Sequence, residues 1–389
     1  SMSADYDVPM IAINDALYAD PATKPLHDVL TAIRCKTIVQ AAGRQLAANA
    51  ERHLKAPVEM ARLFAQAPQA VAETQHFLSR IHFSLDDLRY EYPQEPVPHG
   101  WEAQDWLEDM VMVAAHKRYG ATLPVDAQRR IDEEFELIRK QNYANYFLTV
   151  HDIVRFARAQ TPPILCQGRG SAANSIVCFL LGITSVDPTV HDLLFSRFVS
   201  AERNEPPDID VDFEHDRRDE VIQHIYKTYD EKRTALAASV VTYRGRSAMR
   251  EVAKAMGLSE DIRAALSSSI WGWSNSELGE REAKAGGLVK EDPISRLVMD
   301  RANEIMGFPR HLSQHTGGFV ITRDRLDEIV PIMKTAMPER KMVEWDKDDL
   351  DSVGLLKIDV LALGMLSCMK RAFTLLEDHY RIHDDHGCP

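Results

Sequence analysis

Three aspartates alternate with bulky apolar residues over positions 206–213, and this spacing could hold metal ions. Side chains in a β-strand point to opposite faces in turn, so we expect Asp208, Asp210 and Asp212 to share one face of a strand. Neighbouring carboxylates repel and raise one another's pKa unless a cation offsets their charge. Their oxygen atoms suit hard divalent cations, above all Mg²⁺. The stretch therefore predicts a strand that holds catalytic metal ions.

Two other interpretations of this stretch are open. D-x-D-x-D also begins a calcium-binding EF-hand loop, which needs Gly at its sixth position and Glu at its twelfth. Phe213 and Asp219 stand at those positions, which disfavours a calcium loop. A solvated edge strand with an acidic outer face is the second alternative.

A glycine-rich loop, residues 168–175, lies between a predicted strand over 162–166 and a predicted apolar helix over 176–182. The free amides and the dipole at a helix start favour an anion, and glycines let the backbone approach a phosphate. Arg169 adds positive charge beside Gly170 and Ser171. This order of elements predicts a phosphate cradle. The alternative is a plain strand-to-helix turn in which Ser171 caps the helix.

A second charged stretch, residues 355–361, also alternates like a strand. Lys357 and Asp359 share one predicted face, and apolar residues share the other. Charged side chains are unusual in a strand of this buried type. The alternative to a functional pair is a structural ion pair between neighbouring strands.

Composition is that of an ordinary globular protein, with 389 residues, 45% hydrophobic and 27% charged residues, which favours two or three domains. No apolar run approaches the roughly 18 residues of a membrane span. The five cysteines form no C-x-x-C pair, which suits a reducing cytoplasm and argues against a zinc site. The chain also begins with an apolar segment that has no upstream partner, so we expect it to be part of a longer protein.

A basic helix is predicted to begin near residue 244, within a small inserted helical domain. Arg244, Arg246, Arg250 and Lys254 could follow a phosphate backbone. An ordinary solvated helix face explains them equally well. The net charge of −13 argues mildly against a chain coated in nucleic acid but allows a local basic cleft.

Periodicity gives a coarse map of the remaining elements. Strands are predicted over 8–18, 146–150, 240–243 and 315–322, and an acidic loop over 343–349. The glycine pair in 315–322 predicts a close backbone approach. Helices are predicted within 24–90 and over 101–120, 126–140 and 216–229.

Two acidic strands, an anion cradle and several arginines are the parts of two-metal phosphoryl transfer. The motifs PPDIDVDF, GRGSAANS, FSRFVSAERN, HTGGFVIT and LLKIDVLALG also resemble the palm motifs of bacterial C-family DNA polymerases, the DnaE-type alpha subunits of DNA polymerase III. The segment WDKDDLDSVGLLKIDVLALGML most closely resembles the error-prone, damage-inducible ImuC branch.

The resemblance implies an α+β fold with a nucleotidyltransferase palm like that of polymerase beta, built on a mixed β-sheet. It implies an N-terminal helical remnant of a PHP domain over 1–92, a palm over 93–243 and 314–364, and an inserted helical thumb over 244–313. The fingers would begin at 365 and are essentially absent, so we expect the chain alone to extend primers poorly or not at all.

The resemblance also implies roles for single residues. Asp210, Asp212 and Asp359 match the catalytic, metal-binding aspartates, and Asp208 is a supporting acid. Residues matching the nucleotide- and phosphate-binding positions are Arg169, Gly170, Ser171, Arg197 and Lys357. Supporting roles fall to Arg203 and His315, and DNA contacts to Arg244, Arg246, Arg250 and Lys254 in the thumb. The carboxylates would repel one another without metal, so we expect a distorted site or basic side chains among them.

The implied cofactors are two Mg²⁺ ions, which Mn²⁺ could replace. The implied partners are primer–template DNA and dNTP and, for a longer protein, the sliding clamp and ImuA/ImuB-type proteins of damage-induced synthesis, with no membrane. Leu17 stands where the metal-binding His of the PHP motif is expected after Asn14-Asp15, so no metal activity is predicted at Asp15. Two other functions are open: a different nucleotidyltransferase with the same palm, and a non-catalytic fragment that docks DNA or a partner.

Overall fold

The computed structural model of the chain describes residues 5–6, 8–88, 91–95, 97–190, 209–269 and 292–380. It divides into two compact units. The first unit comprises residues 1–84 and 240–311, and the second comprises 85–239 and 312–389. None of the helices in the described ranges is long and apolar enough to cross a bilayer.

Helices and strands alternate along the described parts of the chain. The α-helices are α1 (Lys24–Arg34), α2 (Pro57–Leu63), α3 (Pro68–Ser79), α4 (Ala103–Tyr119), α5 (Val125–Gln141), α6 (Ala144–Arg158), α7 (Ile176–Leu180), α8 (Arg218–Tyr229), α9 (Gly245–Ala255), α10 (Glu260–Ser269), α11 (Pro293–Ile305), α12 (Lys347–Ser352) and α13 (Gly364–Tyr380). The strands are β1 (Cys166–Arg169), β2 (Asp210–Glu214), β3 (Thr234–Thr242), β4 (Pro309–Ile321), β5 (Ile332–Lys334), β6 (Lys341–Asp346) and β7 (Lys357–Leu363).

The seven strands form one sheet in the order β1-β2-β7-β4-β3-β6-β5. The pairs β2–β7 and β3–β6 are parallel, whereas β1–β2, β4–β7 and β5–β6 are antiparallel. The predicted α+β fold with a mixed sheet is therefore confirmed. Because β2 lies between β1 and β7, the alternative of a solvated edge strand is wrong.

One face of the central strands lies in the main core of the second unit. Val211 and Phe213 of β2 and Ile358 of β7 are at most 1% exposed, and they share a buried cluster with Ile222 and Ile225 of α8. Burying a side chain of this size contributes about 1.5–3 kcal/mol. This burial fixes which face of β2 is apolar, and so leaves the alternate residues for the other face.

The core of the first unit joins residues that are distant in sequence. Val29 of α1 packs in one cluster with Met249 and Val252 of α9 and with Val298 and Ala302 of α11. The predicted PHP remnant and the predicted thumb thus both contribute to this unit. How these ranges divide into domains stays a prediction.

Residues 146–150 lie in α6 and do not form a strand, so that prediction is wrong. A short apolar run with aromatic and β-branched residues does not distinguish a strand from a buried helix. Tyr146, Phe147 and Val150 are at most 1% exposed, as are Ile153 and Val154 in the next turn. The helical spacing of this longer buried set identifies the helix.

Two other predicted elements also differ from the structure. The described residues of 8–18 contain no strand, and Val8, Met10 and Ile13 are exposed, so no sheet covers them. Positions 343–349 form the end of β6 and the start of α12 instead of a loop. Val343 is buried there, so burial of an apolar side chain favours a strand in spite of the charged residues beside it.

Candidate active site

The strand register brings the predicted catalytic acids together. Asp210 of β2 pairs directly with Asp359 of β7 in the parallel ladder. Arg169 of β1 pairs with Asp210 on one side, and Gly318 of β4 pairs with Asp359 on the other. The prediction that these two acidic strands lie side by side is confirmed, and four strands contribute one residue each to a single row across the sheet.

The acids are largely withdrawn from solvent. Asp212 and Asp359 are each 7% exposed, and Asp210 is partly buried. Burial raises the pKa of Asp212, and the charge of Arg169 opposes that rise. The sheet therefore carries carboxylates in a place where their ionised form is costly unless cations lie nearby.

Basic side chains lie against each of these carboxylates. Arg169 Nε is 3.2 Å from Asp212 Oδ2, and its Nη2 is 3.9 Å from Asp210 Oδ2. Lys357 Nζ is 3.4 Å from Asp359 Oδ2 within the same strand. The prediction of basic groups among the acids is confirmed, and the alternative of a structural ion pair at Lys357 and Asp359 stays open.

His315 is a neighbour of Asp359 but not its ion-pair partner. Its Nδ1 accepts a hydrogen bond from the Gly318 N–H at 2.7 Å and lies 3.6 Å from Asp359 Oδ1. Burial lowers the pKa of His315, although Asp359 opposes this. The ring is therefore neutral, with the Nδ1 lone pair engaged, and it cannot donate from Nδ1 to the carboxylate.

Both glycines of the β4 pair permit a close approach, as predicted. A Cβ atom at Gly318 would lie 2.7 Å from His315 Nδ1 and 3.0 Å from Asp359 Oδ1. A Cβ atom at Gly317 would lie 2.4 Å from the carbonyl oxygen of Val360. Any larger residue here would displace the strand that carries Asp359.

The glycine-rich loop lies directly on the acidic strand. After Arg169 the chain forms a 3₁₀ turn over Gly170–Asn174, in which Gly170 has a φ of 68°. A Cβ atom at Gly170 would be 3.6 Å from Asp210 Oδ2. The positive φ and this approach both suit glycine.

The amides at the start of the following helix already bind an anionic side chain, so the predicted phosphate cradle is limited to the loop before it. α7 has only five residues, and the amides of Ile176 and Val177 donate to the buried carboxylate of Glu134. Ser175, not Ser171, caps this helix by accepting from the Cys178 N–H at 3.0 Å. A phosphate could use the 3₁₀ turn, but the amides of α7 already have an anion.

Sequence reasoning missed two residues that position β2 and β7. Glu214 continues the acidic alternation two residues after Asp212, is 1% exposed, and accepts from Lys370 Nζ at 2.7 Å. Arg218 Nε donates to the carbonyl oxygen of Val360, next to Asp359, at 2.8 Å. The extended alternation could have revealed Glu214, whereas no local pattern gives the partner of Arg218.

Several predicted residues are not placed beside the acids. Asp208, Arg197 and Arg203 lie outside the described residues, as does the side chain of Ser171. The predicted thumb residues belong to the first unit, where Arg246, Arg250 and Lys254 are exposed and Arg244 is partly buried. Arg250 also contacts Glu251 at 3.2 Å. This placement fits both a DNA contact and a solvated face.

The acidic site has the donors that a hard cation needs, although its acids are not gathered around one point. No group of three or more His, Cys, Asp or Glu side chains in the described ranges is arranged to hold an ion. Arg169 and Lys357 contact the carboxylates instead. Asp359 Oδ1, however, is buried and accepts no hydrogen bond from any described residue. An unsatisfied buried carboxylate oxygen fits a divalent metal ion.

The chain is similar to known proteins along nearly its whole length. Residues 105–362, more than half of the chain, match the family model of the bacterial DNA polymerase III alpha NTPase domain. Relatives named error-prone DNA polymerase are 65% identical in Mesorhizobium japonicum, 57% in Sinorhizobium medicae and 55% in Brucella abortus, over 98%, 97% and 97% of this chain. These matches cover 34%, 34% and 35% of the relatives, so the chain spans about a third of their length. These findings confirm the predicted family: the chain belongs to the bacterial DNA polymerase III alpha family.

Proposed function

We propose that this chain is the catalytic core of a template-directed DNA polymerase that transfers a nucleotide from dNTP to a primer 3′-OH. The observation that supports it is the pairing of Asp210 with Asp359 across two adjacent strands, with Asp212 on the same strand as Asp210. The names of the relatives support error-prone synthesis after DNA damage as its role. The substrate of this synthesis would be primer–template DNA in the cytoplasm.

Asp210, Asp212 and Asp359 would hold the two divalent ions, Mg²⁺ or Mn²⁺. Such ions, when bound, lower the pKa of the attacking hydroxyl and stabilise the charge of the leaving group. The unsatisfied Oδ1 of Asp359 and the buried Asp212 supply oxygen atoms whose charge needs a cation.

The basic groups of the site would bind the triphosphate. Arg169 and Lys357 lie against the acids, so both can pair with phosphate oxygens close to the reacting atoms. Gly170 leaves space for phosphate beside Asp210. Arg197 and Ser171 belong to the same proposal on the basis of their motifs, and His315 supports Asp359 through the backbone of Gly318.

We infer the boundaries of the remaining domains from the family resemblance. Residues 93–243 and 314–364 would form the palm, 244–313 the thumb, 365–389 the start of the fingers, and 1–92 the end of a PHP domain. Exposed basic residues of α9 would contact primer–template DNA. The sliding clamp and ImuA/ImuB-type proteins are further proposed partners. Asp15 pairs with Arg52, and no metal role is proposed for it.

Two substitutions in the full-length protein test the function. Asp210→Asn and Asp359→Asn should each abolish Mg²⁺-dependent primer extension while leaving the affinity for primer–template DNA within about twofold, because the acids act on charge in the transition state. Primer extension and DNA binding by fluorescence anisotropy measure the two quantities. Extension that survives either substitution would overturn the assignment. Template-independent labelling by the wild-type protein would favour another nucleotidyltransferase.

A further inference from the structure

Glu134 is a buried carboxylate that the proposed chemistry does not use. It lies in α5 and is 1% exposed. Its Oε1 accepts from the Ile176 N–H at 2.8 Å, and its Oε2 accepts from the Ser175 hydroxyl at 2.7 Å and the Val177 N–H at 3.1 Å. All three donors belong to the junction between the glycine-rich loop and α7.

The two ends of the glycine-rich loop are held in different ways. At its start, the Gly168 N–H donates to the carbonyl oxygen of Ile183 at 2.8 Å, and a Cβ atom at Gly168 would lie 2.7 Å from that oxygen. At its end, Ser175 binds Glu134, and its N–H donates to the Ala172 carbonyl at 3.1 Å. The first contact is backbone packing, whereas the second depends on one side chain from another helix.

The segment between these anchors lies on the catalytic acids. Arg169 contacts Asp210 and Asp212, and the Cα of Gly170 faces Asp210 Oδ2. The acids themselves are fixed by the ladder between β2 and β7, which does not involve Glu134. Gly168 and Arg169 are likewise paired with β2, so a shift at the far end of the loop would move the backbone that follows Arg169 more than it moves the acids.

Three donors face the two oxygen atoms of Glu134, so this position suits a carboxyl group better than an amide. Burial raises the pKa of Glu134 to about 7, whereas its hydrogen bonds from Ser175, Ile176 and Val177 and the charge of Arg130 lower it. Burying an ionised carboxylate is costly, and the hydrogen bonds to Glu134 offset that cost. A glutamine at this position would turn one amide N–H₂ group towards donors, so at least one contact would be lost.

We infer that Glu134 is a positioning residue for the incoming nucleotide: it fixes the glycine-rich loop at the distance from Asp210 that dNTP binding needs. This inference rests on the proposed function. A substitution that removes an interaction made equally with the substrate and with the transition state raises KM without changing kcat. Loss of the anchor should therefore weaken dNTP binding and leave the chemical step nearly intact.

The test compares Glu134→Gln with Glu95→Gln in the full-length protein. Glu95 is a matched control, since it is 9% exposed, lies in the same unit and accepts hydrogen bonds from Thr149 and Tyr229 away from the loop. Glu134→Gln should raise the KM for dNTP about tenfold and change kcat by less than about threefold. Glu95→Gln should leave the KM for dNTP unchanged, because both donors of Glu95 reach a single oxygen that glutamine retains.

Equilibrium binding of dATP to the same proteins, measured by calorimetry, gives a readout that needs no turnover. Weaker binding by Glu134→Gln, but not by Glu95→Gln, supports the inference. If the two variants had the same KM and the same affinity for dATP, Glu134 would have only a structural role, and the inference would be overturned. If Glu134→Gln does not fold, Glu134→Asp keeps the charge, retracts the carboxylate and should raise KM less. A wild-type protein that binds dATP but extends no primer would overturn the proposed function instead.

Discussion

Replacing Gly318 by alanine tests whether the close approach of β4 sets the geometry of Asp359. The new Cβ atom would lie 2.7 Å from His315 Nδ1, closer than real Cβ contacts allow, so the imidazole must move. The hydrogen bond from the Gly318 N–H to His315 would weaken, at a cost of about 0.5–1.5 kcal/mol. Overpacking adds about 1–3 kcal/mol. We expect the free energy of unfolding to fall by about 1.5–4.5 kcal/mol, the sum of the two effects.

Activity should fall for a separate reason. The same Cβ atom would lie 3.0 Å from Asp359 Oδ1, so this carboxylate must retreat by about 0.4 Å to reach an ordinary contact distance. A misplacement of about 1 Å in an active site can cost a factor of about 100, so we expect kcat to fall about tenfold. Urea unfolding and steady-state primer extension by the full-length protein measure the two effects.

Two further variants separate the contacts. Gly364→Ala is the control, because a Cβ atom there has nothing within 4 Å, and its stability and kcat should match those of the wild type. The double variant His315→Ala/Gly318→Ala removes the 2.7 Å contact but keeps the one to Asp359, so stability should recover more than kcat. Wild-type stability and kcat in the folded Gly318→Ala protein would refute the reasoning.

Two other substitutions address the charges of the site. Arg169→Ala should change stability by only about 0–1 kcal/mol, because Arg169 is 53% exposed, but should raise the KM for dNTP at least tenfold or so; an unchanged KM would remove Arg169 from the phosphate site. Asp212→Asn should abolish extension and stabilise the fold at pH 7, since the pKa of Asp212 is raised in the folded state. The ionised group lowers wild-type stability as the pH rises above 3.8, so the advantage of the variant, measured by urea unfolding, should be absent at pH 3 and complete at pH 7. An equal advantage at both pH values would contradict that origin.

Local spacing predicted the acidic strand because the pattern has two independent consequences. Alternation assigns Asp210 and Asp212 to one face, and burial of Val211 and Phe213 on the other face excludes a shift by one residue. The pairing with Asp359 has no such local cause. It depends on strand order, which tertiary packing sets, and the sequence indicated it only through the family resemblance.

Glu134 shows why the sequence could not reveal which group occupies the amides at the start of α7. In sequence it is one of several acids in an amphipathic helix, where an exposed position is the usual outcome. Its partners, Ser175 to Val177, are about 40 residues away, and only packing of α5 against α7 brings them together. Tyr146 was misassigned for the same reason, since its burial depends on contacts outside its own segment.

The row Arg169, Asp210, Asp359, Gly318 also explains why Asp359 Oδ1 accepts no hydrogen bond within the described parts of the chain. A side chain at Gly318 would cover Asp359 Oδ1, and a donating His315 would satisfy it. Gly318 prevents both, because it carries no Cβ and because its own N–H occupies His315 Nδ1. A buried acceptor without a partner is costly, and such atoms in native proteins call for an explanation. The proposed metal ion supplies one: the Gly318 N–H engages His315 Nδ1, so that Asp359 presents Oδ1 to a cation.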